Sequence, residues 1–211
     1  DRARRIVSWV HERLSYEPLE PALFEAALTH RSASGPNNER LEFLGDAVLN
    51  LVAADRLYRR YPVASEGDLS RLRARVVSAE PLAGIAQELG LGDALQLGSG
   101  ELKTGGFRRQ SILADALEAL IGAVYLDRGM EPARHLVERL LESRIAAAPD
   151  PSDLKDPKTR LQEWLQGRSL PLPNYVVDSI GGQPHEQHFE VRCEVPALGA
   201  AALGRGSSRR R

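Results

Sequence analysis

Residues 38–49 read Asn38-Glu39-Arg40-Leu41-Glu42-Phe43-Leu44-Gly45-Asp46-Ala47-Val48-Leu49. Apolar residues at 41, 44, 48, 51 and 52 follow helical spacing and predict one buried face. Glu39, Glu42 and Asp46 recur at intervals of three and four, which sets them on or beside one face. Like charges so placed cost a helix roughly 0.2–0.5 kcal/mol per pair. A solvated acidic face is the bland account. It is weakened by the neighbours Leu41, Phe43, Leu44, Ala47 and Val48, among which Arg40 is the nearby cation.

A second stretch sharpens the point. Residues 111–126, SILADALEALIGAVYL, are apolar almost all round, as in a helix buried inside a domain. The charges within it are Asp115 and Glu118, three apart on one face, with no Lys or Arg. A bare buried carboxylate costs several kcal/mol, so such groups are protonated, paired or bound to a cation. If the acidic faces of the two helices pack together, Glu42, Asp46, Asp115 and Glu118 converge. Carboxylates around one point suit a hard divalent cation such as Mg²⁺, with Mn²⁺ as a substitute.

Composition sets wide bounds. The chain has 211 residues, 42% hydrophobic and 27% charged, as expected of an ordinary soluble protein. No run is long enough to span a membrane and no signal peptide is visible, so a cytoplasmic location without membrane partners is expected. The lone Cys193 excludes an internal disulfide framework and a cysteine-rich zinc site. Residues 1–150 carry 19 Lys+Arg against 22 Asp+Glu (−3), and residues 151–211 carry 9 against 7 (+2), ending in Arg209-Arg210-Arg211. Phosphate binding would rest on local clusters rather than on the global field.

The remaining segments fall in line. Residues 2–14 read as an amphipathic helix with Ile6, Trp9, Val10 and Leu14 inward. A short helix over 21–30 opens on Pro21, and His30 after it reads as a hydrogen-bonded structural histidine. The acidic helix of the opening stretch runs to Tyr61 and stops before Pro62. Ser65-Glu66-Gly67-Asp68 is a capping-type start for the next helix, and another runs from Ser78–Pro81 to Gly90. Residues 98–110 are expected to form a basic, glycine-rich loop, with Ser111 capping the second acidic helix. A helix over about 131–146 precedes a Pro-, Asp- and Ser-rich linker at 148–156. Beyond it, 157–167 is a short helix with Leu161, Trp164 and Leu165 inward. Strands follow at 174–180, 187–195 and about 199–204.

The stretch NERLEFLGDAVL, with Leu28-Thr29-His30-Arg31-Ser32 before it and ELKTGGFRRQSILADALEALIGAVYLD at 101–127, resembles the ribonuclease III family. The blocks occur in that family's order, and the resemblance runs from about residue 10 to the C-terminus. It implies a mainly α fold: an all-helical endonuclease domain at 1–147, then a small α+β double-stranded-RNA-binding domain at 157–211. That second domain is expected to be incomplete, because the sequence stops where a closing helix would begin. The implied activity is metal-dependent hydrolysis of double-stranded RNA by a homodimer, leaving 5′-phosphates and short 3′ overhangs and processing ribosomal precursor RNA. By resemblance, Glu42, Asp115 and Glu118 hold the metal, Asp46 orients water or completes the shell, and Glu118 is tied most directly to the chemistry. Glu39 and Glu66 are accessory acids; an exposed acid and a helix-dipole partner are their plainer readings. Gln162 and Glu163 would reach one RNA minor groove, Pro184 and His185 another, and Ser208, Arg209 and Arg210 the intervening phosphates. Two other classes stay open at this point. A protein that binds duplex RNA without cutting it has no use for buried acids. A hydrolase of small phosphates has no use for the C-terminal region.

Overall fold

The computed structural model describes residues 2–150, 157–183 and 187–207. The chain divides into two compact units, Asp1–Leu154 and Lys155–Arg211.

The first unit is helical. Its elements are α1 (Arg2–Leu14), α2 (Pro21–Ala27), α3 (Glu39–Arg60), α4 (Glu66–Val77), α5 (Ala79–Glu88), α6 (Leu91–Ala94), α7 (Ser99–Lys103), α8 (Gln110–Arg128) and α9 (Met130–Ala146). The central helix is α8. From Ile112 to Val124 every residue is buried except Asp115 and Glu118, which are half-buried. Helices α2, α3, α5 and α9 pack around it, so its apolar surface faces protein on all sides, and each buried Leu or Ile contributes about 1.5–3 kcal/mol. Helix α3 supplies the largest contact with α8. Its buried stripe is Leu41, Gly45, Val48, Leu49, Val52, Ala53 and Leu57. Leu51, expected inward, is instead 57% exposed, and Phe43 is 81% exposed. The stripe is centred on Gly45, where α3 lies against α8, and this turns positions 43 and 51 outward.

The periphery is fastened by polar contacts. In α1, Ile6, Val10 and Leu14 are buried at intervals of four, while Trp9 is partly covered. The connection from α1 to α2 is held by Asp127 near the end of α8. Its carboxylate accepts from the Tyr16 hydroxyl (2.6 Å) and from the backbone N–H groups of Leu19 (3.0 Å) and Glu20 (2.7 Å). Ser65 and Asp68 form a reciprocal capping box at the start of α4, as the sequence predicts.

Several boundaries differ from expectation. Helix α2 ends at Ala27 because Leu28–His30 leave it to bridge another segment: Gln96 N–H donates to Leu28 O (2.8 Å) and His30 N–H to Gln96 O (2.9 Å). Residues 98–110 are not a plain loop. They contain α7 and a 3-10 turn over Gly106–Arg108. Ser111 is not the cap of α8; the helix starts at Gln110, with Arg109 at the N-cap.

The second unit has α10 (Pro157–Gln166) and an antiparallel sheet in the order β1 (Asn174–Gly181), β2 (His188–Val195), β3 (Ala200–Gly206). Leu165 is fully buried, but Trp164, expected inward, is 42% exposed. The Arg168 guanidinium covers its ring at 4.0 Å, so the indole shields itself with a cation rather than with core.

Candidate metal centre

The site begins where α3 crosses α8. A Cβ built on Gly45 would stand 1.7 Å from the Glu118 carbonyl oxygen, and one on Gly122 would stand 2.3 Å from the Leu41 carbonyl oxygen. The two backbones therefore touch with no side chain between them. About one turn or less from these glycines stand Glu42 and Asp46 on α3 and Glu118 on α8, and Asp115 stands nearly a further turn along α8.

Glu42, Asp115 and Glu118 each offer a carboxylate oxygen, and these atoms all lie within 4.8 Å of one another. All three side chains are half-buried. Burial pushes the Glu118 carboxyl up to about 8, and the charges of Asp46, Asp115 and Glu42 add to the shift. Glu42 is also raised, by burial and then by Asp115 and Glu39. Asp115 is raised by burial against the opposing pull of His30 and Arg31. These three carboxyls resist ionisation even though Arg31 partly offsets the burial of Glu42 and Asp115, and hard oxygen donors at this spacing fit a hard divalent cation.

Asp46 stands at the margin. It is exposed and falls outside the group of three, yet it is the foremost charge acting on Glu118. The Asn50 amide donates both to its carboxylate (2.7 Å) and to its carbonyl (3.0 Å), fixing its direction. Glu39 is exposed at the start of α3 and pairs with Arg31 at 3.4 Å. Glu66 does not join the cluster. It accepts from the Ser70 hydroxyl (2.8 Å) and lines a separate groove with Leu51, Tyr58 and Leu69. In the second unit Gln162 is half-buried and Glu163 exposed on α10. Pro184, His185, Ser208, Arg209 and Arg210 lie outside the described residues.

Beside the cluster opens a cleft of about 600 Å³, lined by His30, Asn38, Glu42, Arg109 and Asp115 among others. Ion pairs stand on its walls: Arg31 with Glu39, and Arg109 with Glu101 at 3.1 Å. Asn38 is 2% exposed, and its Nδ2 has no hydrogen-bond partner. The sequence reading missed Gly45, Gly122 and this cleft. The glycines carried a signal: each costs an ordinary helix interior about 1 kcal/mol relative to Ala.

The family model described as "Ribonuclease-III-like" matches residues 20–145. The chain belongs to the ribonuclease III family. It is 54% identical over 199 residues to Ribonuclease 3 of Vibrio cholerae serotype O1, covering 94% of this chain and 88% of that protein. To Ribonuclease 3 of Pseudomonas fluorescens it is 56% identical over 201 residues, covering 95% and 88%. Among solved structures, the nuclease domain of ribonuclease III from Campylobacter jejuni superposes with a TM-score of 0.63 at 45% identity, covering 65% of this chain and 96% of that one. Dicer from Pichia stipitis gives 0.50 at 27% identity, covering 90% and 87%. The protein is thus a ribonuclease III-type endoribonuclease, with a helical unit and a three-stranded α+β unit. Among the described residues no helix is long and apolar enough to cross a membrane.

Proposed function

We propose that this ribonuclease III cuts double-stranded RNA by Mg²⁺-dependent phosphodiester hydrolysis, with Glu42, Asp115 and Glu118 holding the metal. The observation that carries this reading is the convergence of those three half-buried carboxylates within 4.8 Å. Mn²⁺ has the same preference for oxygen ligands and substitutes for Mg²⁺. When bound, the cation supplies charge neutralisation at the phosphate and a hydration shell from which the attacking water is drawn.

The protein's own part is positional. Glu118, grouped with Asp115 and Glu42, would give up its proton as the cation binds. Asp46, held by Asn50 at the exposed margin of the cluster, would orient water there. Apolar neighbours such as Ile112 limit access of bulk water to the cluster. Glu39 holds Arg31 at the rim as an accessory acid.

The enzyme works as a homodimer. Helix α3 turns Phe43, Leu51 and Tyr58 to solvent, 81%, 57% and 70% exposed. A groove lined by Leu51, Tyr58, Ala64, Glu66 and Leu69 lies on the same side. An exposed phenyl and an apolar groove on one face complement each other across a two-fold axis. Glu66 belongs to that groove, which would make it an acid of the subunit boundary. One site per subunit, each cutting one strand, leaves 5′-phosphates and short 3′ overhangs. The second unit engages the duplex through its shape, with Gln162 and Glu163 on α10 at one minor groove, Pro184 and His185 at another and Ser208, Arg209 and Arg210 on the phosphates between. Precursors of ribosomal RNA and structured messenger RNAs in the cytoplasm are the substrates this reading implies. Incubation of a long RNA duplex with the enzyme and Mg²⁺, followed by end mapping, tests it: 5′-phosphates with staggered cuts are expected, and an uncut duplex would overturn it.

A further inference from the structure

The segment Leu28–Ser32 is stitched to Gln96–Gly98 in a way that bears on the neighbouring cleft. Beside the two backbone bonds to Gln96, the N–H of Gly98 donates to Ser32 Oγ at 2.9 Å. That hydroxyl, which accepts from Gly98, lies 2.8 Å from His30 Nδ1. The backbone N–H of Ser32 also donates to His30 Nδ1, at 3.2 Å. The backbone N–H of Ser32 can only donate, so Nδ1 is the acceptor, the Ser32 hydroxyl donates to it as well, and the ring proton resides on Nε2. Among the described residues Nε2 makes no hydrogen bond, although His30 lines the cleft that also holds Asp115 and Glu42. Arg31 and Arg109 line the same cleft, and buried Asn38, with its unpartnered Nδ2, forms part of its wall.

We propose that the cleft is a phosphate subsite in which His30, locked as the Nε2–H tautomer by Ser32, donates to a non-bridging oxygen of the RNA strand being cut. The inference rests on the endonuclease reading above, since that activity supplies the strand. An Nε2–H donor suits this place: it can bind a phosphate oxygen beside the metal-holding carboxylates, and with Nδ1 engaged by Ser32 the Nε2 position serves as the donor. Arg31 and Arg109, each held by an acid at the rim, supply the attraction at longer range. His30 is therefore more than the structural histidine its sequence context suggested: one ring nitrogen secures the fold and the other faces the substrate.

The two roles separate by substitution. His30→Asn keeps an acceptor near the position of Nδ1 and removes the Nε2 donor. His30→Gln keeps a donor near Nε2 and removes the Nδ1 acceptor. On a short RNA duplex with Mg²⁺, His30→Asn is expected to lower kcat/KM about tenfold, the scale of one hydrogen bond to a charged group, with its melting temperature unchanged. His30→Gln is expected to recover most of that loss. The reverse order, with Asn active and Gln impaired, would overturn the proposal and leave His30 a purely structural residue. In the metal-free protein, ¹⁵N spectra of the ring are expected to show Nδ1 unprotonated and Nε2 protonated; the opposite tautomer also overturns it. Wild-type cleavage in the same assay reports on the endonuclease reading itself, so the variants judge His30 separately.

Discussion

The carbonyl oxygen of Glu118 occupies the space a side chain on Gly45 would need, at 1.7 Å from where its Cβ would stand. The residue that bears the most strongly shifted carboxyl of the site is thus also the one whose backbone touches α3. Helix separation and carboxylate separation are set by the same contact, with Gly122 against Leu41 making the second half of it.

Gly45→Ala and Gly122→Ala are accordingly expected to push α3 and α8 apart. Backbone cannot yield as a flexible side chain would, so each is expected to cost about 3 kcal/mol or more of stability. Each also widens the spacing of Glu42, Asp115 and Glu118, with cleavage falling at least a hundredfold. Thermal melts and duplex-cleavage rates check this; wild-type behaviour of either variant would refute a backbone-to-backbone crossing.

The pH response follows from Glu118. Its carboxyl is pushed up from the ordinary 4.5 to about 8 in the metal-free fold, by burial and by Asp46, Asp115 and Glu42. Between those values the folded chain holds a proton that the unfolded chain has released. The associated stability is fully present below the unfolded value and is lost as pH rises through about 8. Cation binding requires the ionised form, so Mg²⁺ affinity is expected to rise over the same interval. Titration calorimetry and melts at several pH values, with and without Mg²⁺, measure both trends. Metal affinity independent of pH would contradict the assignment.

How much of this was legible in the sequence differs by residue. The spacing of the acids on two apolar stretches was enough to predict that Glu42, Asp115 and Glu118 converge, because burial period and charge period conflict in both; Asp46, expected with them, stands outside the group of three. The direction in which Leu51 and Phe43 point was not legible. Leucine at 51 fits the period of a buried stripe as well as Leu49 does, and only the crossing at Gly45 decides which is covered. Trp164 misled for a related reason: its ring is covered by Arg168 rather than by core. The short helix α7 and the bridge from Leu28–His30 to Gln96 arise from contacts distant in sequence, which local propensity does not report.

Asp127 offers a test of fold rather than chemistry. Although burial alone would raise its carboxyl, hydrogen bonds from Tyr16, Leu19 and Glu20 outweigh it and hold the carboxyl below the usual range. Asp127→Ala leaves those three donors without their acceptor, at an expected cost of about 3 kcal/mol. Denaturant unfolding checks the figure, and a loss below about 0.5 kcal/mol would show that the α1–α2 connection is held otherwise.

Phe43 separates assembly from folding. At 81% exposure its loss removes little from the subunit's own core. Phe43→Ser is expected to leave the helical content intact while shifting the protein from dimer to monomer at micromolar concentration. Sedimentation velocity measures this, and an unchanged dimer would place the subunit boundary elsewhere.

The most direct test of the acidic cluster compares the wild type with Glu118→Ala on a long RNA duplex, with Mg²⁺ and with EDTA, scoring cleavage and duplex binding side by side. Cleavage by the wild type that requires the metal and vanishes in Glu118→Ala, with duplex binding retained, is the result expected if Glu42, Asp115 and Glu118 form the metal centre. Cleavage by Glu118→Ala at a rate near the wild type would contradict it.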